Sequence, residues 1–595
     1  MALPMYQSAS SAYQAGIAVL APYLDVRSLN ALSQVNWHFN RIFCAVLWEN
    51  PVKYIAQTDS HPFTKFIKLY TLRPYERCSQ LIQVIDSRPL SALTHSPKHF
   101  SDYVASSVTV SCELIFQQLH HFDHVRFLIL DSLVSQSRGL GMDLDQERGA
   151  MILLLSLVDT DLANVDYILQ TPRYANLVFL DISGTCHDAV KQLEHLELEN
   201  LRILKLCRLR LTAIPNFVLR CAPRLWSLDL SRNLLVDVQI RLLLRTCLLR
   251  NFTPQDPLVY PASDELLYES PPTYLPPALR APPPRPSPCR RDHADHVTKH
   301  LMQHGHDESD PMYIESGLTN LALHGNKLTS DIIPDLLTTC NRLQVLDVGT
   351  VRMADKNVAA MMGLPHATLW HTDSCPLLAP SSLEHLRIHH SFITHIPTIT
   401  VGPCTAYRAS HVPGAELFGR GAVSAYDPLR NYRLARLGLT GLPTKSAGPL
   451  IQRLLALLRR LALQEQRLRD ARAGAPRPYR AAPLLSGLRV LTLQLLPERE
   501  PGRAGTWTAV TGDGDVEVLG ASAARDFSFF GAAAAEGASR GRATELRDVV
   551  AALKHFRRTE LPRWNRNASP RLASPHPIPW YMLVSMAIHL MSPTR

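Results

Sequence analysis

Apolar side chains recur along the middle of the chain in the spacing L-x-x-L-x-L. Leu225, Leu228 and Leu230 are followed by Asn233 and Leu235, and Leu318, Leu321 and Leu323 by Asn326 and Leu328. The copy at Leu201, Leu204 and Leu206 continues to Leu211 and Ile214, and others start at Val125, Ile152, Leu177, Leu343, Leu383, Leu434 and Leu488. From Val125 to Leu225 the starts lie 24–27 residues apart; after Leu343 the gaps lengthen to 40, 51 and 54. Within each copy the alternation predicts a short strand, because successive side chains of a strand point to opposite faces. One such unit cannot bury its own apolar edge, whereas stacked neighbours can. Helical patterns follow several strands, as at Val236 to Thr246 and Ser330 to Thr339.

The period and pattern resemble leucine-rich repeats. The resemblance implies an α/β leucine-rich-repeat solenoid, a horseshoe, over 125–250 and, less regularly, 316–498. In that family the Asn side chain after the strand hydrogen-bonds turn backbone that no ladder reaches. Asn233 and Asn326 match that position, Thr160 and Thr185 are weaker substitutes, and Val351 departs from it. Leucine fills 93 of 595 positions, consistent with one residue type occupying many equivalent sites.

The segment 12–51 has a different pattern. Ile17, Leu20, Tyr23-Leu24-Asp25, Ser28-Leu29, Leu32-Ser33, Val35-Asn36, Phe39, Ile42 and Leu47-Trp48 have helical spacing, with Asp25 a good N-cap. Three short helices are predicted, at about 13–22, 26–35 and 38–46. Their order (an apolar helix, Y-L-D, S-L-x-x-L-S-x-V-N, F-N-x-I, L-W) resembles the F-box, which implies a small all-α N-terminal F-box-like module. The usual Leu-Pro opening is replaced by Ala12-Tyr13, and Gly16 interrupts the first helix. The family's partner is Skp1, the adaptor of cullin-RING ubiquitin ligases. By resemblance Ile17, Leu20, Leu24, Leu29 and Leu32 are the candidate Skp1-binding residues. The other reading makes these leucines the core of a small helical cap.

Residues 52–124 are expected as a linker with N-terminal capping helices. Residues 251–315 lose the repeat register: twelve prolines fall between Pro254 and Pro288, predicting a disordered Pro/His-rich insertion. His296, His300 and His304 would share a helix face there, but no Cys or carboxylate pair completes a metal site, so no metal is expected. Residues 499–595 are read as a Gly/Ala-rich segment, a capping helix at about Glu545 to Arg557, and a proline-rich tail. The net charge of +10 is mild for this length, and Lys and Arg never form a long block, so nucleic-acid and membrane partners are not expected. Eleven scattered cysteines without C-x-x-C fit a reducing compartment, cytoplasmic or nuclear.

No G-x-S-x-G, P-loop or recognisable Cys–His signature is present, so neither catalysis nor a cofactor is expected. Together the two resemblances imply a substrate receptor of an SCF ubiquitin ligase. The F-box would dock on the Skp1-like adaptor and cullin complex, and the repeat surface would hold an unidentified protein substrate. A ubiquitin-independent repeat scaffold remains the alternative. The strand pattern places Asp181, Lys205, Asp229, Asp347, His385, Arg387, His389 and Arg436 on the concave face. Asp181, Asp229, Asp347, His385, Arg387, His389 and Arg436 are the candidate substrate-binding residues, the last four for an acidic or phosphorylated target segment; a solvated, merely solubilising face is the other reading. The arginine-rich helix Leu450 to Arg472 is expected on the convex side.

Overall fold

Every L-x-x-L-x-L start is followed by a strand, so the periodic leucines build a parallel sheet in an α/β chain. The computed structural model describes residues 20–58, 61–71, 80–93, 115–116, 119, 122–133, 151–160, 169, 171–185, 190, 193–248, 292–304, 317–339, 343–352, 383–394, 398–400, 406–408, 428–446, 449–474, 485–496 and 547–559. They fall into two compact units: Met1–Gln255 with Arg285–Leu328 and Arg342–Val345, and Asp256–Pro284 with Thr329–Asn341 and Leu346–Arg595.

The first unit opens with helices α1 (Val26–Ser33), α2 (Trp37–Glu49), α3 (Pro51–Thr58) and α4 (Pro62–Thr71). The Asp25 side chain caps α1 by accepting from Ser28 N at 2.8 Å, and Asn36 caps α2 by accepting from Phe39 N at 2.9 Å. Ala21, Leu29 and Phe43 form the buried centre of this group, with Leu24, Leu32, Phe39 and Ile42 packed around it. The predicted helices at 26–35 and 38–46 are therefore present. Of the one expected at 13–22 only the end is described, where a 3-10 turn covers Ala21–Tyr23.

Strands β1 (Val84–Asp86), β2 (Phe127–Ile129), β3 (Leu154–Ser156), β4 (Phe179–Asp181), β5 (Ile203–Lys205), β6 (Ser227–Asp229) and β7 (Asn320–Ala322) lie side by side in chain order. All neighbouring pairs from β1 to β7 are parallel and in step. The middle residues Ile85, Leu128, Leu155, Leu180, Leu204, Leu228 and Leu321 are sealed on one face. Helices α5 (Asn216–Cys221) and α6 (Asp237–Leu248) follow β5 and β6. Strand β1 corrects the reading of 52–124 as linker and capping helices alone. Its motif is Ile82, Ile85 and then Ser87, fully buried, whose hydroxyl donates to the Asp131 carbonyl. A serine in the third slot hid the pattern.

Three residues after β2 to β7 the chain takes the left-handed conformation, at Ser132, Asp159, Gly184, Arg208, Arg232 and Gly325. Only two of these positions carry the residue that takes it without steric cost. At Gly184 (φ +72) a Cβ would sit 2.1 Å from Asp159 Oδ1, and Arg208 holds that carboxylate at 2.8 Å. Gly184→Ala is expected to cost about 1–2 kcal/mol in urea unfolding, from φ strain and displacement of the ion pair.

A further helix, α7 (Ala294–His304), corrects the disorder expected over 251–315. Val297 and Leu301 pack on Val84, Phe127, Ile129, Leu154, Phe179, Ile203 and Trp226, which lie on the face opposite the sealed leucines. Burial of that aliphatic pair orders the segment despite its proline-rich surroundings.

In the second unit, helix α8 (Ile332–Thr339) and strand β8 (Val345–Val348) precede β9 (His385–His389). A hairpin of β10 (Thr398–Thr400) and β11 (Ala406–Arg408) follows, then β12 (Arg436–Leu442), β13 (Lys445–Ser446), helix α9 (Pro449–Gly474), β14 (Val490–Leu495), β15 (Arg547–Asp548) and α10 (Val549–Thr559). β9, β12 and β14 are parallel neighbours, and β13 pairs antiparallel with β15. α9 buries Leu450, Ile451, Leu454, Leu457, Leu461 and Leu468, the apolar stripe of a one-sided helix, while Arg459, Arg460, Arg467 and Arg469 stay exposed. Among the described residues no helix is long and apolar enough to cross a membrane.

Candidate functional site

The N-terminal helices expose four large apolar side chains. Leu20 is 57% exposed, Tyr23 84%, Val35 62% and Trp37 66%. They lie before α1, in the turn after it and at the start of α2, while Leu29 and Phe43 of the same helices belong to the buried centre. Sequence reasoning selected a partly different set. Leu20 is exposed as expected. Leu29, at 1%, is core and can take no part in an adaptor surface; Leu24 and Leu32 are half-buried against it. Ile17 lies outside the described residues. Tyr23 and Val35, which stand in the F-box-like motif, and Trp37 are exposed but are not among the residues selected from the sequence.

The acidic residues at the strand ends have a local task. Asp86 Oδ1 accepts from Arg88 N (3.1 Å), Asp181 Oδ1 from Ser183 N (3.0 Å), Asp229 Oδ1 from Ser231 N (2.9 Å) and Asp347 Oδ1 from Gly349 N (3.0 Å). Each carboxylate satisfies a turn amide two residues on, the behaviour that favours Asp in turns. Asp181 is also buried, and burial pushes its carboxyl up to about 6 despite the nearby Lys205 ammonium. These aspartates thus brace turns, a role the sequence reading of Asp181, Asp229 and Asp347 as substrate-binding candidates did not include.

The structure brings together the basic candidates of the second unit. Arg436 pairs with His385, and Gly438 with Arg387, in the β9–β12 register. Gly438 leaves room for the arginine: a Cβ there would lie 3.1 Å from Arg387 Cγ. Arg387 then reaches Asp347 Oδ2 at 2.7 Å and Gln494 Oε1 at 2.6 Å. Its guanidinium is half-buried and already held on two sides, so it is a fixed cation with part of its charge neutralised. His385 is pushed down to about 4 by burial, with Arg436 next in effect. His389 is buried, pushed down to about 4 by burial and then by Arg352, and its Nδ1 accepts from Ser391 N at 3.2 Å. Both rings are neutral at pH 7. Of the four candidates, Arg387 and Arg436 are therefore bordered by neutral imidazoles.

No group of three or more His, Cys, Asp or Glu that could hold a metal occurs among the described residues. The His296 and His300 rings on α7 stand 6.3 Å apart, tilted to each other. A scan of family models and a search of curated proteins find no match for this chain.

Proposed function

We propose that the chain is the substrate-recognition subunit of an SCF-type ubiquitin ligase. In this reading the N-terminal helices are an F-box that docks on Skp1, and the α/β strands are a leucine-rich-repeat solenoid whose surface holds the target. The observation that supports it is the exposure of four large apolar side chains, Leu20, Tyr23, Val35 and Trp37, beside helices that enclose a filled core. Large aromatic and aliphatic side chains left exposed on a short helical module are the kind enriched at protein interfaces. The chain itself would supply no chemistry. It would hold a target lysine close to the charged ubiquitin carrier and raise its effective concentration there.

Capture by immobilised Skp1 tests the reading. The purified full chain is expected to bind, and Leu20→Glu/Trp37→Glu to weaken binding at least tenfold, or about 1.4 kcal/mol, with an unchanged circular dichroism spectrum. A wild-type chain that Skp1 fails to retain, or a variant retained equally well, would leave the ubiquitin-independent scaffold as the reading.

A further inference from the structure

The face of β1 to β6 opposite the sealed leucines is already occupied. Helix α7 lies on it, and the contact combines two chemistries. Val297 and Leu301, four residues apart on one side of α7, sit on an apolar floor of Val84, Phe127, Leu154, Phe179, Ile203 and Trp226. At the start of the helix two acids meet basic and hydroxyl groups on the strands and just after β1. Asp295 pairs with Arg88, which the Asp86 carboxylate grips at 2.9 and 2.7 Å. Asp292 accepts from Ser227 Oγ at 2.8 Å and lies 3.9 Å from Lys205 Nζ.

The fit is incomplete. The Trp226 indole N–H and the Thr298 hydroxyl are buried with no hydrogen-bond partner among the described residues. Each such group opposes docking by about 1–3 kcal/mol. Two buried aliphatic residues contribute about 1.5–3 kcal/mol each, and a three-turn helix is marginal by itself. The unpaired groups offset much of the aliphatic gain, so the Asp292 and Asp295 contacts and the covalent attachment, which raises the local concentration of α7, keep it seated.

We propose that this face is a recognition surface for an amphipathic helix with an acidic first turn and aliphatic residues four apart, and that α7 is its tethered occupant. A target helix of that chemistry binds by displacing α7. The segment thereby sets a threshold affinity that only a better-fitting partner exceeds. The inference deepens the proposed function by naming the target class and its gate, and rests on that reading only for the fate of the target.

The test is a fluorescein-labelled peptide of residues 290–306 of this chain, titrated with the full-length protein and read by anisotropy. The wild-type chain is expected to bind it weakly. A Val297→Asp/Leu301→Asp chain, with α7 unseated, is expected to bind at least tenfold more tightly, and adding Arg88→Glu to that chain to reverse the gain. Should the double variant fail to fold, Asp292→Lys/Asp295→Lys loosens α7 through its charges alone and is expected to shift affinity in the same direction. Equal affinity in the wild-type and folded variant chains, or no binding to any of them, overturns the proposal. So does a chain that runs as a dimer which the peptide dissociates, since α7 would then belong to a second copy. Skp1 is absent from the assay, so this result and Skp1 capture succeed or fail independently.

Discussion

As the pH falls from about 6.5 to about 4, the second unit is expected to lose about 3 kcal/mol for each of two histidines. His385 and His389 have an ordinary value of 6.5 when unfolded and are held down to about 4 in the native state. Between those values the unfolded chain binds the protons and the native chain does not, so stability falls with acid; above 6.5 neither state is protonated and the two residues contribute nothing. The causes are local. His385 has no hydrogen-bond partner for Nδ1 among the described residues, and Arg436 and Arg387 oppose a positive ring, outweighing Asp347. His389 Nδ1 accepts from Ser391 N, so its protonation also removes that bond. Hydrogen exchange of β9 and β12 in the full chain should show the loss of protection. His385→Gln/His389→Asn should flatten it, since Asn can still accept from Ser391 N. If the double variant loses protection over the same window as the wild type, these histidines are not its source.

The first unit has the opposite sign at one position. Asp181 has an ordinary value of 3.8 and is pushed up to about 6 by burial, so its native form retains a proton that the unfolded chain has released. That contribution is complete below about 3.8 and is lost as the pH rises to about 6. Acid therefore moves β4 and β9 in opposite directions, a contrast that peptide-resolved exchange distinguishes from general acid unfolding.

Neither burial nor its effect on charge was legible in the sequence, and the reason is the same in both units. Strand alternation says which face a residue lies on, and it placed Asp181, His385, Arg387 and Arg436 correctly off the leucine face. It cannot say what else covers that face. Helix α7 covers part of it in the first unit, and its cue was the Val297–Leu301 spacing preceded by Asp292 and Asp295. That cue lay among prolines and histidines, and the histidine spacing drew attention toward metal binding instead. The leucine periodicity was strong because ten copies shared one requirement, a dry aliphatic slot. β1 escaped it through the single polar substitution at Ser87. In the N-terminal helices the amphipathic pattern found Leu29, but core and interface leucines look alike in one sequence. Only packing around Phe43 separates Leu29 from Leu20.

Asn233 is a side chain whose removal should cost the first unit heavily. It is 2% exposed, and it makes four good hydrogen bonds to backbone. Its Oδ1 accepts from Leu209 N at 3.0 Å and Leu211 N at 3.1 Å; its Nδ2 donates to Leu206 O at 2.8 Å and Leu230 O at 2.9 Å. Those backbone groups belong to turns after β5 and β6, where strand pairing supplies no partner. Asn233→Ala strands up to three buried polar groups, Leu209 N, Leu211 N and Leu206 O, since Leu230 O keeps Asn326 Nδ2 at 2.9 Å; at about 1–3 kcal/mol each before relaxation, a loss of about 3–5 kcal/mol is expected. Earlier turns show what a lesser substitute achieves. Thr160 donates to Leu130 O at 3.2 Å and Thr185 to Ile182 O at 2.8 Å, mainly one bond each. Asn233→Thr should therefore fall between wild type and Ala. Asn233→Asp should do worse than Thr, since it turns two donors into acceptors facing carbonyl oxygens. Asn326 makes three such bonds but is half-buried, so water can replace them, and Asn326→Ala should cost about half as much. Urea unfolding read by exchange of β5 and β6 gives the order. A loss under about 1 kcal/mol for Asn233→Ala, or no difference between Ala and Thr, would mean the turns hold themselves without this amide.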